Sequence, residues 1–225
     1  MCHATSCTHQ PTVLLTGFEP FGGEKINPSW EAVRQLDGWV CRDAKVVARQ
    51  MPCIFGMAID ALEAALQEVK PQIVICLGQG AKRVDFSVER IAINVDDARI
   101  PDNVGRQPVD VPVIVNGPAA YFSSLPIKAI VKAVRTAGIP SSVSQTAGTF
   151  VCNHIFYAAC HLRATRYEGV RKAGFVHIPF SPEQAAHHPD HASLSIDTVV
   201  HALRVAVETC LTVDADIRLV AGQVD

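Results

Sequence analysis

Short, wholly apolar segments alternate with amphipathic segments along this chain, and that alternation most limits the folds it can adopt. Strands are predicted at residues 13–15, 46–48, 73–77 and 174–178. Helices, in which apolar residues recur at helical spacing, are predicted at about residues 28–37, 58–69, 127–137, 152–162 and 194–210. Strands without polar alternation are buried on both faces. The sequence therefore predicts an α/β fold in which helices cover a mainly parallel, twisted sheet.

The length of 225 residues suits one domain, predicted at residues 12–225 after a loose tail at residues 1–11. A formal net charge of −2 offers no broad basic face, so we expect no nucleic-acid partner. No segment has the length and apolarity of a membrane span, and residues 1–10 lack the features of a secretory signal. We therefore expect a protein of the cytoplasm that does not associate with membranes.

Cys152 is the candidate nucleophile among eight scattered cysteines, which we expect to be reduced because the apolar composition can form a core without disulfides. It lies in the first turn of a predicted helix, shortly after Ala147 and Gly148. Unpaired backbone N–H groups at a helix N-terminus favour the thiolate, so the sequence predicts a lowered thiol pKa. A buried structural cysteine is the alternative, and the other seven are interpreted in that way.

His177 is the candidate base, because it ends the last predicted strand near the sheet edge where parallel α/β folds collect their active sites. A packed core histidine is the alternative. Other histidines could form part of a metal-dependent hydrolase, but they lack the ligand spacing and acidic partners of a catalytic zinc site. These are His187, His188 and His191 in a predicted loop, and His3 and His9 with Cys2 and Cys7 in the tail.

Glu89 is the candidate third group, since a carboxylate is needed to fix the tautomer of a catalytic histidine. It is an acid inside an extended, mostly apolar segment at residues 84–94, and a buried charge requires a partner. An ion pair with Arg90 or another cation is the alternative, and spacing does not choose between the two. A polar stretch follows at residues 96–112 and is predicted to leave the sheet.

Three ordered blocks of this chain closely resemble the pyroglutamyl peptidases type I, also called pyrrolidone carboxyl peptidases, over residues 13–203. The first block is TGFEPFGG at residues 16–23, followed by NPS at residues 27–29. The second is VERIAIN at residues 88–94 with DDARIPDN at residues 96–103, and the third is SQTAGTFVCN at residues 144–153. The resemblance implies a three-layer α/β/α sandwich and a cysteine exopeptidase that removes N-terminal pyroglutamate from peptides.

The resemblance also implies the roles of individual residues. It places the catalytic set on Glu89, Cys152 and His177, the last within GFVHIP at residues 174–179. It implies a substrate pocket lined by Phe18, Phe21 and Gln79, with Ile100 and the backbone before Cys152 as further lining and Arg99 as an orienting or oxyanion-binding group. It implies a thioester intermediate and no metal or organic cofactor. The family contains tetramers and monomers, so a homotetramer and a lower oligomer both stay open.

One departure from the family pattern follows Gly78 and Gln79. Many members have a small residue, two glycines and an arginine there, whereas this chain has GAKR at residues 80–83. The shape of the pocket is the feature that this change affects. Two alternatives therefore stay open: a cysteine-dependent amidase or esterase for another small acyl group, and a non-catalytic small-molecule binding protein on the same scaffold.

Overall fold

In this computed structural model, which describes residues 10–222, the apolar segments pair into a central sheet. The strands are β1 (Thr12–Phe18), β2 (Val40–Cys41), β3 (Ala44–Met51), β4 (Ile73–Gln79), β5 (Phe86–Glu89), β6 (Ile91–Ile93), β7 (Ala120–Phe122), β8 (Ser141–Ser144) and β9 (Lys172–Ile178). Seven of them form one sheet in the order β2-β3-β1-β4-β9-β5-β8, and β6 pairs with β7 in a separate antiparallel ribbon.

Most neighbours in the seven-stranded sheet are parallel, as predicted. β1 pairs in parallel with β3 and β4, β4 with β9, and β5 with β8. The antiparallel pairs are β2 with β3 and β5 with β9. The sheet reverses direction between β9 and β5, and the candidate residues His177 and Glu89 lie on these two strands.

The helices cover both faces of this sheet, which confirms the three-layer α/β/α arrangement. They are α1 (Pro28–Val33), α2 (Met57–Val69), α3 (Ile127–Thr136), α4 (Val151–Thr165), α5 (Pro182–Ala185) and α6 (Ile196–Thr212). Helices α1, α3 and α6 share one apolar core with the sheet, and α2 and α4 share the other. Within residues 10–222, none of the helices combines the length and apolarity needed to cross a membrane.

Strand β4 shows why residues 73–77 are apolar at every position. Ile73, Ile75 and Leu77 pack in the core on the α6 side, whereas Val74 and Cys76 pack against α2 and α4. Successive side chains of a strand point to opposite faces, so a strand between two helical layers buries all of them.

Strand β1 is longer than the sequence predicted, which moves the start of the following loop. Thr16, Gly17 and Phe18 continue the strand because they pair with residues 49–51 of β3. A Cβ on Gly17 would come within 2.7 Å of the backbone of Ser29 and Trp30, so a glycine is required where α1 crosses the strand. The loop that follows this strand therefore begins after Phe18.

The polar stretch at residues 96–112 lies outside the sheet, as predicted, and α4 holds the chain on either side of it. The amide of Asn153 donates to the carbonyl oxygens of Ile93 and Val95 at 2.9 and 3.1 Å. The hydroxyl of Tyr157 donates to the carbonyl oxygen of Pro118 at 2.6 Å. Helix α4 thus carries the candidate nucleophile at its start and anchors this stretch through its following turns.

Candidate active site

Cys152 is the second residue of α4, and its side chain is partly buried against β4. A Cβ on Gly78 would come within 2.8 Å of the Cys152 Sγ and 2.6 Å of the Phe175 ring. A side chain at position 78 would therefore displace the thiol. Phe150 precedes the helix without a side-chain cap, and the first turn carries no acidic residue. The N–H groups of that turn are therefore available to a bound anion.

Burial raises the pKa of the Cys152 thiol well above its usual range, and Cys53 and Glu89 also oppose its ionisation. The predicted lowering of this pKa was therefore wrong. The thiolate loses more hydration in this environment than the nearby positive charge of Arg83 returns. The cysteine consequently rests as a neutral thiol and needs a base to become a nucleophile.

His177 and Glu89 meet across neighbouring strands. His177 pairs with Ser87 on β5 and with Gly78 on β4, so Glu89, two residues after Ser87, shares the face of the sheet that carries His177. The Nδ1 of His177 lies 2.7 Å from Glu89 Oε1, and the Glu89 side chain has no solvent exposure. The register of two strands therefore positions the acid on the base.

Burial lowers the pKa of His177, although the hydrogen bond and charge of Glu89 act in the opposite direction. The imidazole therefore rests neutral near pH 7. Because an ionised carboxylate accepts hydrogen bonds, the Nδ1 carries the proton and Nε2 keeps a lone pair. A neutral imidazole in this tautomer can accept a proton from a thiol.

Cys152 and His177 open onto one cavity of about 250 Å³. All five residues predicted for the pocket also line it: Phe18, Phe21, Gln79, Arg99 and Ile100. Glu89 lies behind His177 and does not reach the cavity. The segment before Cys152, which was predicted as further lining, contributes residues 147–150. The lining residues that were not predicted are Asn27, Cys53, Ala81 and Asp97.

The cation paired with Glu89 is Arg83, not Arg90. Arg83 Nη2 lies 2.8 Å from Glu89 Oε1, whereas the Arg90 Nε donates to the side chain of Gln145 at 2.8 Å. The sequence offered a histidine partner and a cation partner as alternatives, and Glu89 has both. The spacing of residues in the sequence does not identify Arg83 as this cation, because Arg83 lies in the turn after β4 and contacts Glu89 only when the chain is folded.

The loop histidines have partners that are unrelated to metal binding. His188 stacks on Phe180 with ring centroids 4.8 Å apart, and its Nε2 lies 2.8 Å from Glu24 Oε1. His191 packs edge-on against the same Phe180 ring. Across residues 10–222, no three His, Cys, Asp or Glu side chains are grouped as metal ligands. The four tail residues, Cys2, His3, Cys7 and His9, lie outside this range.

The chain matches the family model described as Pyroglutamyl peptidase over residues 11–213. This chain belongs to the pyroglutamyl peptidase family. A pyrrolidone-carboxylate peptidase of Cupriavidus taiwanensis is 59% identical over 213 residues, covering 95% of this chain and 99% of the relative. A protein of the same name from Escherichia fergusonii is 60% identical over 211 residues, covering 94% and 97% of the two chains.

Solved structures of pyroglutamyl peptidases share this fold. The crystal structure of pyroglutamyl peptidase I from Bacillus amyloliquefaciens superposes with a TM-score of 0.91 at 44% identity, over 94% of this chain and 100% of that one. A mutant pyrrolidone carboxyl peptidase from the hyperthermophile Pyrococcus furiosus superposes with a TM-score of 0.85 at 43% identity, over 89% and 98%. The α/β fold predicted from the sequence is confirmed by this agreement.

The departure from the pyroglutamyl peptidase pattern at residues 80–83 forms a tight turn. The Gly80 N–H donates to the carbonyl oxygen of Ile178 and the Arg83 N–H to that of Gly80, both at 2.9 Å. Ala81 lines the cavity, whereas Lys82 is exposed and does not. The difference from the family pattern therefore reaches the cavity through the methyl group of Ala81.

Proposed function

We propose that Cys152, His177 and Glu89 are the catalytic groups with which this pyroglutamyl peptidase hydrolyses the bond after an N-terminal pyroglutamyl (5-oxoprolyl) residue. Membership of the family makes the chain a cysteine hydrolase of this class. One observation carries the residue assignment. Cys152 and His177 open onto the same cavity, while the fully buried Glu89 holds the Nδ1 of His177 at 2.7 Å.

The reaction begins with two neutral groups, because burial disfavours both the thiolate of Cys152 and the imidazolium of His177. As Sγ attacks the pyroglutamyl carbonyl carbon, the Nε2 of His177 accepts the thiol proton. The ion pair thus forms with the tetrahedral intermediate, and Glu89 stabilises the new imidazolium. The uncapped N–H groups at the start of α4 stabilise the oxyanion.

Breakdown of the intermediate returns the proton. The imidazolium donates it to the departing amine as the carbon–nitrogen bond breaks, which leaves a thioester on Cys152. A water molecule then attacks the thioester with His177 as base and releases pyroglutamate and the free thiol. Side chains and water supply every proton and electron pair in this scheme, so the proposed reaction uses no metal or organic cofactor.

The cavity accounts for the preference for a blocked N-terminus. Its wall includes Phe18, Phe21, Cys53, Ile100 and Phe150. The acidic and basic side chains that also line it, Asp97 and Arg99, are exposed to solvent. The pyroglutamyl lactam is neutral and can be buried there. An ordinary N-terminus would bring an ammonium group into an apolar wall without a buried counter-charge, which is costly. Peptides with an N-terminal pyroglutamate are therefore the proposed substrates.

The cytoplasm is the compartment that we propose for this activity, since its reducing conditions keep thiols free of disulfides. The six cysteines of residues 10–222 are all free thiols: Cys41, Cys53, Cys76, Cys152, Cys160 and Cys210. A homotetramer or a lower oligomer is proposed for the assembly, and its size is measurable by light scattering.

The direct test is release of a fluorogenic amine from its pyroglutamyl conjugate. We expect turnover by the wild-type chain and none by Cys152→Ala, because alanine cannot form the thioester. Alanyl and prolyl conjugates of the same amine are the substrate controls, since they keep a free N-terminus. Cys160→Ala is the matched control variant, because Cys160 is a buried thiol on the same helix that lies outside the cavity. Turnover by Cys152→Ala, or equal turnover of all three conjugates, would contradict the proposal.

A further inference from the structure

The guanidinium of Arg83 joins the two halves of the candidate active site. Its Nη2 lies 2.8 Å from Glu89 Oε1 and 2.5 Å from the carbonyl oxygen of Thr146. The same Glu89 oxygen accepts the Nδ1–H of His177 at 2.7 Å. Thr146 belongs to the loop that leads to Cys152. The Arg83 side chain therefore connects Glu89, which orients His177, with the loop that leads into the helix of Cys152.

The path of the Arg83 side chain is fixed by its surroundings. A Cβ on Gly80 would come within 2.9 Å of Arg83 Cγ and within 3.2 Å of His177 Cδ2. The stem therefore packs close to the imidazole, over a position that is open only because residue 80 is a glycine. The side chain is 25% exposed, so most of it is withdrawn from water. Such a side chain loses few conformations when it forms its two hydrogen bonds.

Glu89 needs a cation because it is fully buried. Its Oε2 has no hydrogen-bond partner among the described residues, and neutral His177 brings a hydrogen bond but no charge. A buried carboxylate without an opposite charge is strongly disfavoured. Among the lysines and arginines of residues 10–222, Arg83 is the one that forms a salt bridge with Glu89. It therefore supplies the positive charge beside the carboxyl group that holds His177.

We propose that Arg83 is a positioning residue of this active site, which holds Glu89 on His177 and holds the Thr146 carbonyl so that the loop before α4, and with it Cys152, keeps its place on the cavity that His177 also lines. Arg83 acts through these groups, since it does not line the cavity. The inference rests on the catalytic roles proposed above for Glu89, His177 and Cys152.

Arg83 also affects the protonation of His177. The charged groups that act on this imidazole are Glu89 from β5 and Arg83 from the turn after β4, and the thiol of Cys152 lines the same cavity. The charge of Arg83 lowers the pKa of His177, whereas Glu89 raises it. Removal of the Arg83 charge should therefore raise the His177 pKa and move the acid limb of the rate profile to higher pH.

The test compares Arg83→Met, which keeps the length of the stem without the charge, with Arg83→Lys, whose ammonium keeps a charge but lies one bond short of the Nη2 that makes both hydrogen bonds. Lys82→Met is the matched control, since it removes an exposed cation from the adjacent position. We expect kcat to fall about 10- to 100-fold in Arg83→Met, with a smaller change in KM. The acid limb should move to higher pH in Arg83→Met and stay near the wild-type position in Arg83→Lys, whose kcat is also reduced.

A double-mutant cycle with Glu89→Gln separates positioning from general stability. If Arg83 acts through Glu89, then Arg83→Met reduces kcat much less in the Glu89→Gln background than in the wild type. Equal losses in both backgrounds, or an unchanged kcat and acid limb in folded Arg83→Met, would overturn the inference. If Arg83→Met does not fold, a wild-type kcat in Arg83→Lys would overturn it instead. A wild-type kcat in Glu89→Gln alone would show that the proposed catalytic set, on which the inference rests, is wrong.

Discussion

Two buried histidine–carboxylate pairs lie in this molecule, and they have nearly the same geometry. The Nδ1 of His177 lies 2.7 Å from Glu89 Oε1, and the Nδ1 of His154 lies 2.7 Å from Asp96 Oδ2. Both histidines are 4% exposed. In each pair the second carboxylate oxygen has no partner among the described residues. Neither the distance nor the burial of the pair distinguishes them.

The pairs differ in what surrounds them. The Nε2 of His154 accepts the backbone N–H of Gly56 at 2.9 Å, so both of its nitrogens are occupied. His177 instead opens onto the cavity beside Cys152, and its carboxylate has a cation, Arg83. A histidine–carboxylate pair can therefore serve as a structural link or as a catalytic base. The group that meets the second ring nitrogen decides between the two.

The largest expected effect separates the two histidines by activity. His177→Gln should lower kcat by about 10³-fold or more, because the thiol of Cys152 loses its proposed general base. His154→Gln should lower kcat by less than about 10-fold, since His154 does not line the cavity. Turnover of the pyroglutamyl conjugate by the two folded variants measures both. Similar losses in the two variants would break the comparison.

The second effect is on stability, and here we expect the larger change at His154 and the smaller one at His177. His154→Leu leaves Asp96 buried without its partner and the Gly56 N–H unpaired, so we expect the free energy of unfolding to fall by about 2–4 kcal/mol. His177→Leu should cost about 1 kcal/mol less, because Glu89 keeps Arg83. Urea denaturation of the two variants gives the difference. A larger loss in His177→Leu would show that Arg83 does not compensate Glu89.

The smallest effect is a pH dependence, which we expect only for the pair that is proposed to be catalytic, His177 and Glu89. The base must be neutral, so activity is lost as pH falls through the pKa of His177. Burial lowers this pKa, so the acid limb of kcat/KM should lie below the ordinary histidine value of about 6.5. Initial rates between about pH 4.5 and 8 locate the limb, and His154→Gln is the control that should leave it in place. A limb above 6.5 would contradict the lowered pKa.

The sequence predicted where strands occur but not how far they extend. Residues 13–15 have the apolar pattern of a strand, yet β1 continues to Phe18 through Thr16 and Gly17. Backbone pairing with β3 stabilises these added residues. Such pairing depends on a partner about 30 residues away, so a local pattern does not contain it. These added residues matter for the site, because they place Phe18 on the cavity.

The candidate site was predictable to the extent that a known motif covers it. Cys152, His177, Phe18, Phe21, Gln79, Arg99 and Ile100 were all proposed from the sequence, and all line the cavity. Cys53 and Asp97 line the same cavity, and neither was proposed from the sequence. Asp96 and His154 form a buried pair across 58 residues, which also carried no local signal. Contacts of this kind arise when separate segments pack together.

The sequence by itself determined the α/β class, the family and the three proposed catalytic residues, because apolar periodicity and ordered motifs are properties of neighbouring positions. Only the tertiary structure decided that Glu89 has two partners, that Arg83 is its cation and that burial raises the pKa of the Cys152 thiol. Hydration and charge pairing depend on groups brought together from distant segments. The helix start that predicted a reactive thiol is real, but the surrounding packing set the direction of its pKa shift.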